Sequence, residues 1–199
     1  ARKNKDIFVL QMERGMGKTT FVHALEQDED FSRIATVKAV YVSRDKNYAS
    51  PEKFLWDFSD LLRKDENGNM RSVDITPVDI INSNPTESFV RFVNEFKTRY
   101  YADKKLLIVI DGIDDMGTGG KMTVSDFFET AEFCEGVYVM FTCRIFDEAE
   151  GLRNSAYGFV KRLKDEKIVF DSNNYDYLKF LYNYFNDNII SQFSSGNAD

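Results

Sequence analysis

The sequence predicts an α/β fold, in which helices cover a parallel β-sheet. Short apolar runs rich in β-branched residues alternate with amphipathic segments of helical period along the 199 residues. The run at residues 106–110 is aliphatic without a break, as is typical of a central parallel strand that is buried on both faces. Strands that alternate with helices imply parallel pairing through right-handed crossovers.

The first half of the chain supplies two predicted strands and two predicted helices. The apolar run at residues 6–11 indicates a short buried strand, and a helix at residues 17–27 follows it. Residues 34–43 are rich in β-branched side chains and predict the second strand. The next helix begins at Pro51, because Ser50 is a suitable N-cap and proline suits the first helical position.

The second half supplies three further strands and the remaining helices. Asn84 and Pro85 mark a helix start by the same pattern of cap and proline. Strands are predicted at residues 106–111, 137–142 and 167–170. Further helices are predicted at residues 124–134 and around residues 177–185, with irregular chain at residues 64–82 and 112–122.

Composition and charge exclude several classes of function. Hydrophobic residues make up 43% and charged residues 30% of the chain, which is typical of a soluble globular protein. The net charge of −7 argues against a general binder of nucleic acid or anionic membranes. Two cysteines and one histidine argue against a disulfide scaffold, a zinc site or a Ser-His-Asp triad. We expect reduced thiols in a cytoplasmic protein.

The sequence predicts a single domain. No internal repeat or linker divides it, so we expect one α/β domain over residues 1–190 and a frayed tail at residues 191–199. The chain begins with Ala1 rather than methionine, and we expect it to be part of a longer protein.

A phosphate-binding pattern lies between the first predicted strand and the first predicted helix. Residues 12–19, called here the phosphate loop, match G-x-x-x-x-G-K-[ST] except that Met12 occupies the first glycine position. Such a loop directs backbone N–H groups and a lysine at phosphate oxygens, and a hydroxyl at Mg²⁺. The candidate nucleotide-binding residues are Gly15, Met16, Gly17, Lys18, Thr19 and Thr20. The alternative is the N-terminus of an ordinary surface helix.

Acidic residues follow the third predicted strand. Asp111 ends this strand, and an acid in that position can hold Mg²⁺ together with the hydroxyl of Thr19. Asp114 and Asp115 come directly afterwards and are candidates to orient or deprotonate an attacking water. The alternative is an ordinary strand that ends in an acidic turn.

A third pattern closes the next strand. Thr142 and Arg144 stand at its end, where a polar side chain and an arginine could face the γ-phosphate of a nucleotide. We therefore include Arg144 among the catalytic candidates, with Asp114 and Asp115. The alternative is a surface arginine that pairs with Asp147 or Glu148.

The order of these patterns resembles that of the additional-strand P-loop ATPases. The chain is similar to the nucleotide-binding domain of the STAND class, the signal-transduction ATPases with numerous domains, which includes the NACHT and NB-ARC members. The matching segments are residues 15–20, residues 107–115 in the form hhhhDGhD[DE], and residues 138–144 in the form hhhhTxR. The resemblance implies a three-layer P-loop NTPase sandwich with a five-stranded parallel sheet of order 5-1-4-3-2.

The resemblance also implies a function and partners. It implies a regulatory switch of signalling or defence that binds ATP or ADP with Mg²⁺ and hydrolyses ATP slowly. Its implied partners are other domains of the same chain and further copies of itself, whereas no direct binding to nucleic acid or membranes is expected. Asp115 stands where the family often has glutamate, and no Gly-x-Pro follows Arg144. We therefore expect weak hydrolysis, and a lid domain outside this chain.

Two other functions stay open at the level of sequence. The first is an adaptor that binds nucleotide without hydrolysis, which Met12 and Asp115 favour. The second is a P-loop kinase of a small molecule, whose basic lid could come from Arg153, Lys161, Arg162 and Lys164.

Overall fold

The computed structural model describes residues 7–42, 51–65, 67–72, 85–115, 131–146, 155–162 and 167–169. Several predictions lie outside these residues. They are most of the helix at residues 124–134, the helix around residues 177–185, the frayed tail, and parts of the two irregular segments.

Within the described residues, five strands form one parallel sheet. They are β1 (Ile7–Met12), β2 (Ala35–Tyr41), β3 (Lys105–Asp111), β4 (Val137–Arg144) and β5 (Lys167–Val169). Their order across the sheet is β2-β3-β4-β1-β5, and every pairing is parallel. The predicted α/β class with a parallel sheet is thus confirmed. Strand β4 separates β1 from β3, and β5 pairs with β1 over three residues at the edge.

Helices connect these strands. They are α1 (Lys18–Gln27), α2 (Glu29–Ile34), α3 (Pro51–Arg63), α4 (Pro85–Tyr100) and α5 (Ser155–Arg162). Helices α1, α3 and α4 begin within one residue of their predicted starts. Helix α2 was not predicted. It begins after Asp28, whose side chain accepts a hydrogen bond from the N–H of Phe31 at 2.8 Å, which satisfies a backbone donor of the first turn.

One face of the sheet is covered by α3 and α4. The alternating residues Leu106, Ile108 and Ile110 of β3 point to this face and are fully buried. Phe58 of α3 and Phe92 of α4 belong to the same cluster. These aromatic rings pack in the layer between the two helices and the sheet.

The opposite face is covered by α1 and α2. Leu107 and Val109 of β3 point to this side and pack in one cluster with Phe21 of α1 and Phe31 of α2. A strand that is buried on both faces is a continuous apolar run, which explains why β3 was the clearest strand in the sequence.

Two predicted boundaries are wrong. Residues 131–134 are not helical, because the backbone N–H of Cys134 donates to the Asn94 side-chain oxygen at 2.8 Å instead of to a helical carbonyl. Strand β4 also runs two residues beyond the predicted end at Thr142, since Cys143 and Arg144 pair with Gln11 and Met12 of β1. Arg144 is therefore a strand residue. Cys134 and Cys143 form no disulfide bond in the structure.

Candidate functional site

The carboxyl ends of β1, β4 and β3 meet at one edge of the sheet, where the three sequence patterns come together. The phosphate loop leaves β1 and enters α1 through two glycines in the left-handed region, Gly15 at φ 83° and Gly17 at φ 82°. Residues other than glycine rarely adopt these backbone angles, because their Cβ atoms make them unfavourable. Gly17 is the N-cap of α1 and has no side chain to satisfy the free N–H groups of the first turn. This end of the helix is therefore open to an anion.

Met12 lies in the strand rather than in the loop. It is the last residue of β1, has 0% of its surface exposed and packs in the cluster that contains Phe21 and Leu25 of α1. The position at which Met12 replaces the first glycine of the phosphate-loop pattern is therefore a core position of the fold. The carbonyl of Met12 accepts hydrogen bonds from Lys18 Nζ at 3.2 Å and from the N–H of Ile145 at 3.2 Å.

Lys18 folds back over the loop that precedes it. Its Nζ atom also donates to the carbonyl of Glu13 at 3.3 Å, so two of its three N–H donors are used by the phosphate loop itself. The ammonium group is thereby held against the phosphate loop.

Asp111 is the centre of the polar contacts at this edge. It is buried with 4% exposed, and each carboxylate oxygen accepts a hydroxyl hydrogen bond. Thr19 Oγ1 of α1 donates to Oδ2 at 2.7 Å, and Thr142 Oγ1 of β4 donates to Oδ1. The Thr142 hydroxyl also accepts from the N–H of Gly112 at 3.0 Å. Hydroxyl groups from two elements, α1 and β4, thus hold the carboxylate at the end of β3.

Gly112, which follows Asp111, has to be glycine for two reasons. Its φ of 81° is left-handed, and a Cβ there would lie 3.2 Å from the carbonyl oxygen of Val42. The close turn that results directs the chain from β3 into a single 3₁₀ turn, Ile113–Asp115, which carries the two remaining acids.

Asp114 and Arg144 form an ion pair. Arg144 Nε lies 3.3 Å from Asp114 Oδ2, and the backbone N–H of Arg144 donates to Asp114 Oδ1 at 3.3 Å. Burial raises the pKa of Asp114 above its ordinary value, and the charge of Asp115 adds to the rise. The Arg144 N–H and the Lys18 charge offset part of this increase, since both favour the ionised carboxylate.

The structure therefore brings most of the predicted site residues to the same edge of the sheet. Lys18 contacts the carbonyls of Met12 and Glu13, Thr19 contacts Asp111, and Asp114 contacts Arg144. The other loop candidates, Gly15, Met16, Gly17 and Thr20, adjoin Lys18 and Thr19 in the chain. Asp115 ends the 3₁₀ turn, with its N–H bonded to the carbonyl of Gly112 at 2.9 Å.

Two contacts at this edge were not anticipated from the sequence. The Thr142 hydroxyl donates to Asp111, and Arg144 lies against Asp114 on the 3₁₀ turn that follows β3. The alternative partners of Arg144, at positions 147 and 148, lie outside the described residues. Both contacts depend on the register that places the ends of β3 and β4 side by side. No local sequence pattern indicates this register.

Comparisons with known proteins identify no family. No protein-family model matches the chain, and no curated protein matches its sequence. A chain in the structure of Drosophila ORC bound to AT-rich DNA and Cdc6 is similar in fold with a TM-score of 0.39 and 7% identity. The match covers 83% of this chain and 48% of that chain, so this chain spans about half the length of that one. The structural similarity is weak.

Among the described residues, no helix has the length and apolar character that a membrane span requires. In the same part of the chain, no group of three or more His, Cys, Asp or Glu residues is arranged to hold a metal ion without further ligands.

Proposed function

We propose that this chain is an ATP- and ADP-binding regulatory domain that uses Mg²⁺ and hydrolyses ATP slowly. The observation that carries the proposal is the 2.7 Å hydrogen bond between Thr19 and Asp111. It joins the hydroxyl that follows the phosphate-loop lysine to the acid at the end of a buried parallel strand. A magnesium ion bound to nucleotide phosphates needs this combination of oxygen ligands.

The phosphate loop is the proposed binding site for the phosphate chain. Its left-handed glycines and the open first turn of α1 favour an anion. A phosphate oxygen would replace the carbonyls of Met12 and Glu13 as the partner of the Lys18 ammonium group. The residues proposed to contact the phosphates are Gly15, Met16, Gly17, Lys18, Thr19 and Thr20.

Thr19 and Asp111 are the proposed protein ligands of Mg²⁺. Both present oxygen atoms, the chemistry that this hard cation prefers, and they already lie within hydrogen-bonding distance. Phosphate oxygens would be further ligands of the ion. The ion would neutralise charge on the phosphate chain.

The strand order supports the narrower class. The described sheet, read as β5-β1-β4-β3-β2, has β4 between the phosphate-loop strand and the Asp111 strand, and helices cover both faces. We propose that the fold is a three-layer P-loop NTPase sandwich of the STAND type. A switch of signalling or defence follows from that assignment, as do contacts with other domains of the chain and nucleotide-dependent self-association.

The proposed catalytic residues are Asp115, Asp114 and Arg144. Asp115 is the acid proposed to orient the attacking water. An aspartate is one methylene shorter than the glutamate expected there, and this supports slow turnover.

A non-hydrolysing adaptor is the second candidate. It is favoured because the polar side chains of the site already bind one another: Lys18 binds the loop, Thr19 binds Asp111, and Arg144 binds Asp114. A site whose groups are satisfied internally gains less from a ligand that must first break these contacts.

Titration calorimetry and phosphate release, measured with ATP and with ADP in the presence of Mg²⁺, separate the candidates. A switch binds both nucleotides and releases phosphate slowly without an added acceptor. An adaptor binds without release, and a kinase turns over only when an acceptor is added. Failure to bind either nucleotide would contradict the proposal.

A further inference from the structure

We propose that Asp114 lowers the preference of this site for ATP over ADP by holding Arg144, rather than by acting on the attacking water. This inference rests on the proposed nucleotide-binding function and assigns a different task to one of its acids. Asp114 would restrain the arginine that responds to the γ-phosphate, so that the guanidinium is less available to ATP.

The ion pair uses both oxygens of one carboxylate on one residue. Asp114 Oδ1 accepts the Arg144 backbone N–H, and Asp114 Oδ2 lies 3.3 Å from Arg144 Nε. The hydrogen bond from the Arg144 backbone N–H fixes the position of the Asp114 carboxylate. The same Asp114 rotamer therefore serves the contact to Arg144 Nε. Asp114 has 11% of its side chain exposed and Arg144 has 29%, which limits screening of the pair by salt.

Both partners stand on fixed backbone. Arg144 is the last residue of β4 and pairs with Met12 of β1, and the Gln11 side chain donates to the Arg144 carbonyl at 3.5 Å. Asp114 lies on the 3₁₀ turn that the bond from the Asp115 N–H to the Gly112 carbonyl closes. The contact is therefore a property of the ends of the two strands and not of a mobile loop.

The consequence for nucleotide choice follows from charge. A γ-phosphate that approaches Arg144 has to compete with the Asp114 carboxylate for the guanidinium. ADP has no γ-phosphate and is not affected by this competition. Since a ligand shifts an equilibrium only through differential affinity, removal of the Asp114 charge should favour ATP selectively, and only while Arg144 is present.

Competing roles of Asp114 predict different results. An acid that orients the attacking water changes turnover and leaves the ratio of ATP affinity to ADP affinity unchanged. An acid that only supports the fold lowers the affinities for both nucleotides together when it is replaced.

The test measures the affinities for ADP and for a non-hydrolysable ATP analogue by titration calorimetry with Mg²⁺. Asp114→Asn removes the charge and keeps an oxygen to accept the Arg144 N–H. We expect the ratio of ATP-analogue affinity to ADP affinity to rise at least threefold. Asp115→Asn, the matched control, removes the same charge one residue further on and should leave the ratio within twofold of wild type.

The double variant Asp114→Asn with Arg144→Ala makes the test specific. We expect its ratio to equal that of Arg144→Ala alone, within twofold. An unchanged or lowered ratio in Asp114→Asn would overturn the inference. So would a rise that persists in the double variant, because it would show a direct effect on the nucleotide that bypasses Arg144.

A measurement on the unaltered protein covers the case in which Asp114→Asn does not fold. The Nε–H resonance of Arg144, identified by its absence in Arg144→Ala, should shift with the ATP analogue and stay in place with ADP. Equal shifts with both nucleotides would contradict the inference. Wild-type protein that binds neither nucleotide would overturn the proposed function and this inference with it, whereas binding with an unchanged Asp114→Asn ratio overturns only the inference.

Discussion

Thr19 and Asp111 stand 92 positions apart in the chain, yet the Thr19 hydroxyl donates a 2.7 Å hydrogen bond to Asp111 Oδ2. The two residues belong to α1 and β3, and β4 lies between β3 and the strand that leads into α1. The contact therefore forms only if three strands pair in one register and the first turn of α1 faces their carboxyl ends. It connects the fold to the proposed site.

The Thr142 hydroxyl should contribute to stability, because it donates to Asp111 and accepts from the Gly112 N–H while fully buried. Thr142→Val keeps the shape and removes both bonds, so we expect the free energy of unfolding to fall by about 1.5–3 kcal/mol. Thr142→Ser keeps the hydroxyl and loses one methyl group, worth about 0.8 kcal/mol. Urea unfolding measures both variants, and a valine variant as stable as the serine variant would contradict this role.

Met12 should behave as a core residue and not as a loop residue. Because its side chain is fully buried between β1 and α1, we expect Met12→Ala to lower the free energy of unfolding by about 2–5 kcal/mol. Met16→Ala, in the half-buried loop next to it, serves as the control and should cost less than half as much. A loss below about 1 kcal/mol for Met12→Ala would show that the packing around Met12 is misjudged.

The fold could be predicted from the sequence where the signal is local. The unbroken aliphatic run of β3 and the glycines of the phosphate loop indicate a buried parallel strand and a tight turn without reference to distant residues. Helix α2 could not be predicted in this way, since it has six residues, one buried side chain at Phe31, and a cap at Asp28. Its sequence carries no apolar period long enough to recognise.

The residues of the candidate site were proposed from the sequence, whereas their contacts were not. Lys18, Thr19 and Asp111 could be singled out by their spacing, because a phosphate-loop pattern and an acid at the end of a buried strand are local features of the sequence. The pairing of Asp114 with Arg144 depends on the register between β3 and β4. It also depends on the extension of β4 to Arg144, two residues beyond the predicted end of the strand. Such pairings are long-range properties and have no local pattern.

Asp111 and Asp115 should separate binding from turnover. We expect Asp111→Asn to weaken the part of ATP affinity that depends on Mg²⁺, since a neutral amide is a poorer ligand for a hard cation. Asp115→Asn should spare binding and abolish the residual release of phosphate. Wild-type turnover should itself be far below the roughly 10 s⁻¹ of a median enzyme. Rapid multiple turnover in a phosphate-release assay would count against this assignment.

Arg144 should distinguish ATP from ADP. A guanidinium fits phosphate oxygens and keeps its charge at all working pH values, and only ATP offers a third phosphate. Arg144→Ala should weaken binding of a non-hydrolysable ATP analogue by about 1–3 kcal/mol, or roughly 5- to 150-fold, while ADP affinity stays nearly constant. An equal loss for both nucleotides in calorimetric titrations would remove the role in sensing the γ-phosphate.

The most direct test of the proposed function is the affinity for Mg·ATP with and without the Lys18 ammonium group. Lys18 lies above the phosphate loop, with Nζ on the carbonyls of Met12 and Glu13, and the loss of one charged hydrogen-bonding contact to phosphate is worth about 1.5–3 kcal/mol. Titration calorimetry should therefore show at least tenfold weaker binding for Lys18→Ala. Lys104→Ala, which removes a lysine bonded to the Ser32 carbonyl before the start of β3, should bind within twofold of wild type. Equal affinities of wild type and Lys18→Ala, or no binding by wild type, would contradict the assignment of this edge of the sheet as a nucleotide site.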